Sequence, residues 1–451
     1  MSTNTHKLEP AFDFNENEAS VLLHQAPVEI CIEGKSYTGD GEVRLDLFPK
    51  ANIHVYGHFQ GAPANILLET SMGQKEITSL SINQRKIDGF SLGFGGDVSV
   101  LPSNIIIKWL PKSEPIIGVG YPATKMKRLV FHLFNFVDLI GTRRSREQSG
   151  TVRHAIEHVD LSFDQWKVEL KSLVFTKENI NYLKKNGGYR LTHVGCIEKD
   201  DETSFTGKEA EECLTAFQIF LSFSKGGWCV PVCSVGFDVS ENRVWQSWSS
   251  PREPWYSPLS WFDPHHSTQL ASLFPGFMKR WADDNWREAL HEIIYWYLNA
   301  NFNSRGIDAG IILTQAAIER LSYEYSVKER RLLIVNGFKD LWASDRFRLL
   351  FSSLGIPLDI PSATPTLQIL ASSGQRNWKD APHALTEIRN ALVHPEHKHR
   401  GKFRNAYFEA WNLGLWYLEM AVLAVCGYSG DYGNRLKQRW VGQVEDVPWQ
   451  N

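Results

Sequence analysis

The sequence predicts an α+β protein in which a β-rich N-terminal region, sandwich or barrel-like, is followed by an all-α helical bundle. Over residues 1–270, apolar residues recur mainly at every second position, which is typical of half-buried strands. From about residue 275 the apolar period changes to 3.6, the spacing of one helix face. We therefore expect two units, residues 1–270 and residues 275–451.

Short alternating segments predict the strands of the N-terminal region. Val43, Leu45 and Leu47 alternate with charged residues, and residues 105–107 are a β-branched run. Further strands are expected around Ile53, Val55, Phe131, Leu133, Phe134, Val168, Leu170, Leu191 and His193. Glycine-containing segments at 39–41, 95–97 and 186–188 are expected to form turns.

One helix, near residues 206–223, is expected to interrupt the strands. Thr206 and Glu209 have the spacing of a capping box, in which each side chain bonds the backbone N–H of the other residue. Apolar residues at helical spacing follow over residues 213–221.

A segment rich in tryptophan and proline, residues 245–264, joins the two regions. Its four tryptophans and four prolines exclude a regular helix or a central strand. One interpretation is a rigid connector whose indole rings pack between the two regions. The other is an aromatic platform on which nucleic-acid bases stack. The sequence alone leaves both open.

The C-terminal region predicts a bundle of four or five helices. Asp283 or Asp284 begins one helix, Asp308 begins the next, and Asp380 begins a later one. Less regular helical stretches lie near 329–343 and 345–353, whereas residues 355–375 predict a loop because they are rich in Pro, Ser and Thr. A last long helix follows residue 403, and its segment Trp411–Tyr428 carries Asn412 and Glu419, which favours a buried helix over a membrane span.

The composition excludes several classes of protein. The chain has 451 residues, with 48 basic and 51 acidic side chains and a net charge of −3, so its surface as a whole is not built to bind nucleic acid. Six cysteines are too few for a disulfide scaffold, and the first twenty residues contain no apolar run typical of a signal peptide. We expect a cytoplasmic protein without a membrane segment.

The candidate catalytic constellation lies in residues 386–395. Arg389 and Asn390 point away from the apolar face of the predicted helix. Pro395 disfavours helical conformation at His394, so the helix should end there and leave the imidazole exposed. We therefore expect an imidazole and a guanidinium at one exposed corner.

This pair suits cleavage of RNA without a metal. Neutral His394 can take the proton of a ribose 2′-hydroxyl, while Arg389 holds the scissile phosphate and stabilises its developing charge. Asn390 can orient the phosphate or the imidazole. The 2′-hydroxyl then attacks its own phosphate, which leaves a 2′,3′-cyclic phosphate. A purely structural alternative is that Arg389 and His394 brace a helix end, where a cation is favourable.

At these residues, RNALVHP, the sequence resembles the HEPN superfamily, whose signature is Arg, a polar residue, and His four to six positions after the Arg, within a small helical bundle. Residues 311–325 are also similar to the early HEPN helix, with an acidic residue at Glu319. A C-terminal bundle behind a β-rich region is similar to the ApeA-like HEPN proteins of bacterial phage defence. The resemblance covers residues 280–430.

The resemblance implies catalytic roles for Arg389, Asn390, His394 and Glu319; the alternative for Glu319 is that it only pairs with Arg389 and holds it in place. It implies no cofactor and no metal, and a homodimer through the C-terminal bundle that brings two motifs together. The expected function is a metal-independent endoribonuclease effector, in phage defence or as a toxin, that cleaves RNA (tRNA or mRNA). Residues 1–270 would act as a sensor or regulatory region for a phage-derived trigger. The alternative is a non-catalytic HEPN-type module that binds RNA, nucleotide or protein.

Two further histidine patterns bear on the function. A basic strip follows the motif and predicts RNA contacts, with a solvated loop as the alternative; its members are His397, Lys398, His399, Arg400, Lys402 and Arg404. Metal binding by its histidines and His394 is disfavoured because no cysteine or carboxylate cluster lies nearby. His154 and His158 match an inverted zinc-protease motif, but their neighbours alternate as in a strand, whereas that motif requires a helix.

Overall fold

A computed structural model describes residues 8–14, 19–32, 35–60, 78–97, 104–149, 152–302, 306–373, 377–394, 401, 403–438 and 440–450. Its N-terminal half is β-rich and its C-terminal part is helical, which confirms the predicted order.

The first sheet of the described chain has seven antiparallel strands in the order β5-β4-β1-β2-β3-β7-β6. Its strands are β1 (Ser20–Ile32), β2 (Lys35–Asp46), β3 (Asn52–Gln60), β4 (Thr78–Ile82), β5 (Arg85–Ile87), β6 (Gly89–Asp97) and β7 (Asn104–Pro111).

The second sheet has eight described strands, again antiparallel, which are β8 (Ile116–Val119), β10 (Arg128–Phe134), β11 (Arg143–Ser149), β12 (Val152–Phe163), β13 (Trp166–Ser172), β14 (Leu191–Lys199), β16 (Pro231–Phe237) and β17 (Arg243–Trp248). Their order is β11-β12-β13-β14-β10-β16-β17-β8, and two short strands, β9 (Lys125–Met126) and β15 (Phe205–Thr206), pair with each other.

The helices of the chain, within the described residues, are α1 (Thr176–Asn186), α2 (Gly207–Lys225), α3 (Thr268–Ala282), α4 (Asp284–Ala300), α5 (Ile307–Tyr323), α6 (Val335–Asp340), α7 (Ala343–Ser353), α8 (Pro365–Ser372), α9 (Ala381–Val393) and α10 (Tyr407–Val425). A π-helical turn, Glu324–Glu329, continues α5, and a short hairpin of β18 (Asp431–Tyr432) and β19 (Glu445–Asp446) follows α10.

At its centre, along β10, the second sheet is buried on both faces. Along β10, Val130 and Phe134 join the core shared with the first sheet, whereas Leu129, Phe131 and Leu133 face the helices. The core on the helix side is continuous from β10 through α2 into the C-terminal helices. The two predicted regions therefore pack against each other rather than standing apart.

The capping box at the start of α2 is confirmed. The Thr206 hydroxyl accepts a hydrogen bond from the Glu209 N–H at 3.3 Å, and the Glu209 carboxylate accepts one from the Thr206 N–H at 2.8 Å. Asp283 caps α4, as predicted, by accepting from the N–H of Trp286 at 3.2 Å. Local side-chain chemistry is therefore sufficient to define these two starts.

Two of the predicted turns are wrong, because residues 39–41 lie inside β2 and residues 95–97 lie inside β6. At Gly39, a Cβ atom would lie 2.2 Å from the carbonyl oxygen of His58 on the neighbouring strand. Glycine is required here for close approach of two backbones, not for a turn.

The predictions for residues 245–264 are partly wrong. Trp245 and Trp248 belong to β17, an interior strand that ends before the first proline of the segment. Trp261 is fully buried and packs against Phe223 of α2 and Tyr428 after α10, as the connector interpretation requires. With these three indoles 0% exposed, they offer no surface on which bases could stack.

Three helices were not predicted individually. Helix α1 lies between β13 and β14, α3 begins before residue 275, and α8 lies within the segment expected to be a loop. Pro365 occupies the first turn of α8, and the Glu409 carboxylate of α10 accepts from the N–H groups of Thr366 and Leu367 at 3.0 and 2.9 Å. A residue distant in sequence thus supplies the cap, which local composition does not reveal.

Candidate functional site

The helix that carries the candidate motif, α9, begins at Asp380, whose carboxylate accepts hydrogen bonds from the backbone of α9 and from an arginine of α7. The Asp380 carboxylate accepts from the His383 N–H at 2.9 Å and so caps the helix, as predicted. Arg348 of α7 donates to both oxygens of the same carboxylate, at 2.6 and 3.0 Å. This hydrogen bond raises the pKa of Arg348. The start of α9 is therefore fixed to α7.

The inner face of α9 packs into the bundle. Ala384, Leu385 and Ile388 are buried, and the helix contacts α5, α7 and α10. The buried Gln315 of α5 donates its amide N–H to the Leu385 carbonyl oxygen at 2.6 Å. This bond and the apolar contacts hold α9 in a defined rotation, with Arg389 half-buried at the margin of the bundle and Asn390 exposed.

The helix ends where the sequence predicts. His394 has extended backbone dihedrals, φ −87° and ψ 133°, which is the conformation favoured before a proline. Its N–H still donates to the Asn390 carbonyl oxygen at 3.0 Å, so the residue caps the helix. The His394 side chain is exposed, and its ring has no hydrogen-bond partner among the described residues. The imidazole is therefore accessible to solvent.

The guanidinium of Arg389 contacts its neighbour in the sequence. Its Nη1 donates to the Asn390 side-chain oxygen at 3.2 Å. Asn390 thus orients the guanidinium in this structure, rather than the imidazole. The intrinsic helix rise places residues 389 and 394 about 7.5 Å apart along the axis.

Glu319 was expected to pair with Arg389, but in the structure it pairs with a different arginine. The Glu319 carboxylate forms an ion pair with Arg346 of α7. Arg346 is held beside α5 because its carbonyl oxygen accepts from the Ser322 hydroxyl at 2.9 Å. A packed neighbouring helix therefore supplies the cation, and nothing in the sequence identified Arg346 as that residue.

Glu319 also lines a cleft of about 630 Å³ beside the π-helical turn, together with Arg320, Tyr323 and Phe338. Neither Arg389 nor His394 is among the described residues that line it. The structure thus brings Arg389 and Asn390 together, leaves His394 exposed five residues after Arg389, and places Glu319 in a separate cleft.

Most of the predicted basic strip lies outside the described residues. This applies to His397, Lys398, His399, Arg400 and Lys402. Arg404 is described; it is exposed at the start of a 3-10 turn that precedes α10.

Two further findings concern the whole described chain. Among the described residues, no three His, Cys, Asp or Glu side chains lie close enough together to hold a metal ion. In the same part of the chain, no helix combines the length and apolarity that crossing a membrane requires.

Comparisons with known proteins give matches to both halves of the chain. Residues 122–257, which include most of the second sheet, match a family model described as the YopA central domain, and residues 283–446 match that of the YopA C-terminal domain. A Bacillus subtilis (strain 168) protein, "SPbeta prophage-derived uncharacterized protein YopA", is 28% identical over 428 residues. The alignment covers 91% of this chain and 90% of that protein. No solved structure matches. The second match begins at Asp283, the residue that caps α4, and ends with β19, so the chain is similar to the YopA C-terminal domain over the segment that carries the candidate site.

Proposed function

We propose that the protein is a metal-independent endoribonuclease of the HEPN type, with Arg389 and His394 as its catalytic residues. The observation that carries the proposal is the exposed imidazole of His394 at the end of α9, five residues after Arg389, which lies at the margin of the bundle. An exposed imidazole with an unoccupied ring nitrogen can accept a proton near neutral pH.

The chemistry follows from the two side chains. A neutral His394 accepts the proton of the 2′-hydroxyl as that oxygen attacks the adjacent phosphorus. The guanidinium of Arg389 binds two phosphate oxygens and offsets the charge that develops on them. The 5′-oxygen of the next nucleotide leaves and takes a proton from water or from a second motif. The products are a 2′,3′-cyclic phosphate and a free 5′-hydroxyl.

A homodimer would bring two such motifs together, and the N-terminal sheets would restrain the activity until a trigger binds. The relative encoded by a prophage is compatible with a role in phage conflict, as a defence effector or toxin. The continuous core between the second sheet and the C-terminal helices supports communication between the two regions. Because of that core, deleting residues 1–270 would expose apolar surface, so the full chain is the right material for a test.

The test uses purified full-length protein, total RNA and tRNA in the presence of EDTA. We expect cleavage that survives EDTA, and a loss of about 10²-fold or more in His394→Ala, the usual contribution of a general base. Arg389→Lys should also cut poorly, because an ammonium does not bind phosphate in the bidentate way of a guanidinium. His291→Ala, which removes an exposed histidine of α4, is the matched control and should cut normally.

Both His394 and His291 are exposed, so neither substitution should unfold the protein. Equal cutting by wild type and His394→Ala would refute the proposal, and so would cutting that requires an added metal. RNA binding without cutting by the wild type would favour the alternative, a non-catalytic HEPN-type binding module.

A further inference from the structure

A second constellation of chemically active side chains lies in the N-terminal half, on the second sheet. The Ser145 hydroxyl is 2.7 Å from Nε2 of His158, and Nδ1 of the same imidazole is 2.8 Å from Oε1 of Glu169. The three side chains form one hydrogen-bonded chain across β11, β12 and β13. They border a cleft of about 980 Å³ that is separate from α9.

Strand register holds these residues together. In the pairing of β11 with β12, Arg143 lies opposite His158 and Ser145 lies opposite Ile156. His158 is thus the diagonal neighbour of Ser145 on the same face. In the next pairing, Asp160 lies opposite Glu169, so His158 and Glu169 are diagonal neighbours as well. Two adjacent ladders, which join three strands, therefore fix the order hydroxyl, imidazole, carboxylate.

The same strand geometry places the glutamate and the second histidine of the zinc-protease pattern on opposite faces of β12. Glu157 lies on the opposite face of β12 from His158, and its carboxylate pairs with Arg144 at 2.5 Å. His158 instead faces Ser145. The strand thus brings the histidine of that pattern to a serine, not to a metal.

The Glu169 carboxylate determines which ring nitrogen of His158 carries the proton. The hydrogen bond from His158 lowers the pKa of Glu169, which therefore accepts as a carboxylate. Nδ1 of His158 must then carry the proton, and in a neutral imidazole this leaves the lone pair of Nε2 to accept the hydroxyl proton of Ser145. This is the arrangement that activates a serine for nucleophilic attack.

The surroundings match that chemistry. The side chain of His158 is 8% exposed, so the imidazole is shielded, whereas Ser145 is partly exposed to the cleft. Arg143 lies opposite His158 and pairs with Glu169 at 2.9 Å and with Asp160 at 3.2 Å, so its guanidinium holds the Glu169 carboxylate in place beside the imidazole.

We infer that this cleft is a hydrolytic site for carboxylic esters, with Ser145 as nucleophile, His158 as general base and Glu169 as the positioning residue. The cleft contains the apolar side chains of Leu8 and Val168 as well as charged ones, which suits an ester with a short apolar acyl group. This activity is independent of the proposed cleavage of RNA.

The reaction balances within these groups. Oγ of Ser145 attacks the carbonyl carbon while its proton moves to Nε2 of His158. The tetrahedral intermediate expels the alcohol, which takes that proton, and an acyl-serine remains. Water then gives a proton to Nε2 and attacks the acyl carbon, and Ser145 leaves and recovers the proton. The net change is ester plus water to acid plus alcohol.

The test is covalent labelling of the full-length protein with a fluorophosphonate, followed by peptide mapping. Oγ of the nucleophile forms a bond to phosphorus and fluoride leaves. Ser162, an exposed serine that lines the same cleft on β12, is the internal control within each molecule. We expect Ser145 to be labelled at least about 100-fold faster than Ser162, the lower range for assistance by a general base.

Variants separate a catalytic role from a structural one. Ser145→Ala should abolish labelling and hydrolysis of p-nitrophenyl acetate at this site, whereas Ser353→Ala, at an exposed serine of α7 outside the cleft, should change neither. Glu169→Gln should retain the fold and shift the pH dependence of labelling, because the imidazole loses the carboxylate that orients it. Equal rates at Ser145 and Ser162 in the wild type would overturn the inference and leave the three side chains as a brace between strands. That comparison requires no variant to fold.

Discussion

The ion pair of Arg435 with Glu419 gives the strongest stability prediction. Arg435 follows β18 in the chain and donates to both carboxylate oxygens of Glu419 on α10, at 2.7 and 3.0 Å. The two side chains are 1% and 0% exposed. Tyr297 of α4 donates to the same carboxylate at 2.5 Å, and burial raises the pKa of its hydroxyl. The network thus joins the C-terminal segment to two helices of the bundle.

Arg435→Met should destabilise the protein by about 3–5 kcal/mol at pH 7, because it leaves the Glu419 carboxylate buried without its cation. In that variant, burial without a cation disfavours the charged form of the Glu419 carboxylate relative to the unfolded chain. Stability is therefore lost only at pH values where this carboxylate is charged. The loss of stability in Arg435→Met should therefore be complete near neutral pH and become smaller as the pH falls towards 4.

The measurement is urea-induced unfolding of wild type and variant at several pH values. Lys437→Met is the matched control, because it breaks the nearby ion pair of Lys437 with Glu445, whose side chains are 59% and 35% exposed. That loss should be at most about 1 kcal/mol. Equal losses in the two variants, or a loss for Arg435→Met that does not depend on pH, would refute the reasoning.

Three further predictions concern the β-rich half and its contact with the helices. Thr206→Ala removes the capping hydroxyl of α2 and should lower the free energy of unfolding by about 1 kcal/mol in thermal denaturation. Trp261→Ala should cost about 3–5 kcal/mol because the ring is fully buried, whereas Trp440→Ala, at an 84% exposed residue, should change stability by less than about 0.5 kcal/mol; equal effects would contradict the packing described. Burial lowers the pKa of His132 to about 4. The free energy of unfolding of the wild type should therefore decline from pH 6.5 towards pH 4, by up to about 1.4 kcal/mol per pH unit. His132→Gln should reduce that slope.

Local signals in the sequence were sufficient for much of the fold. The alternation around Val43 and Val168 predicted strands, and the capping pattern at Thr206 predicted a helix start. The end of α9 at Val393 followed from the proline at 395, whose effect acts on the preceding residue alone. These features depend on residues a few positions apart, so they could be predicted from the sequence alone.

Other features depend on contacts between distant segments. The N-terminal N–H groups of α8 are satisfied by Glu409, more than forty residues away, and Glu319 pairs with Arg346 on another helix. The contact of Ser145 with His158 requires the register of two strands, which alternation does not specify. Many helices and strands were therefore predictable, whereas α1, α8 and the partners of individual polar side chains were not.

The most direct test of the proposed function is mass-spectrometric analysis of the RNA termini that the full-length protein generates in EDTA. The mechanism assigned to Arg389 and His394 predicts fragments with 2′,3′-cyclic phosphate and 5′-hydroxyl ends, which disappear in His394→Ala and persist in His291→Ala. Fragments with 3′-hydroxyl and 5′-phosphate ends, or fragments that form equally in His394→Ala, would contradict it.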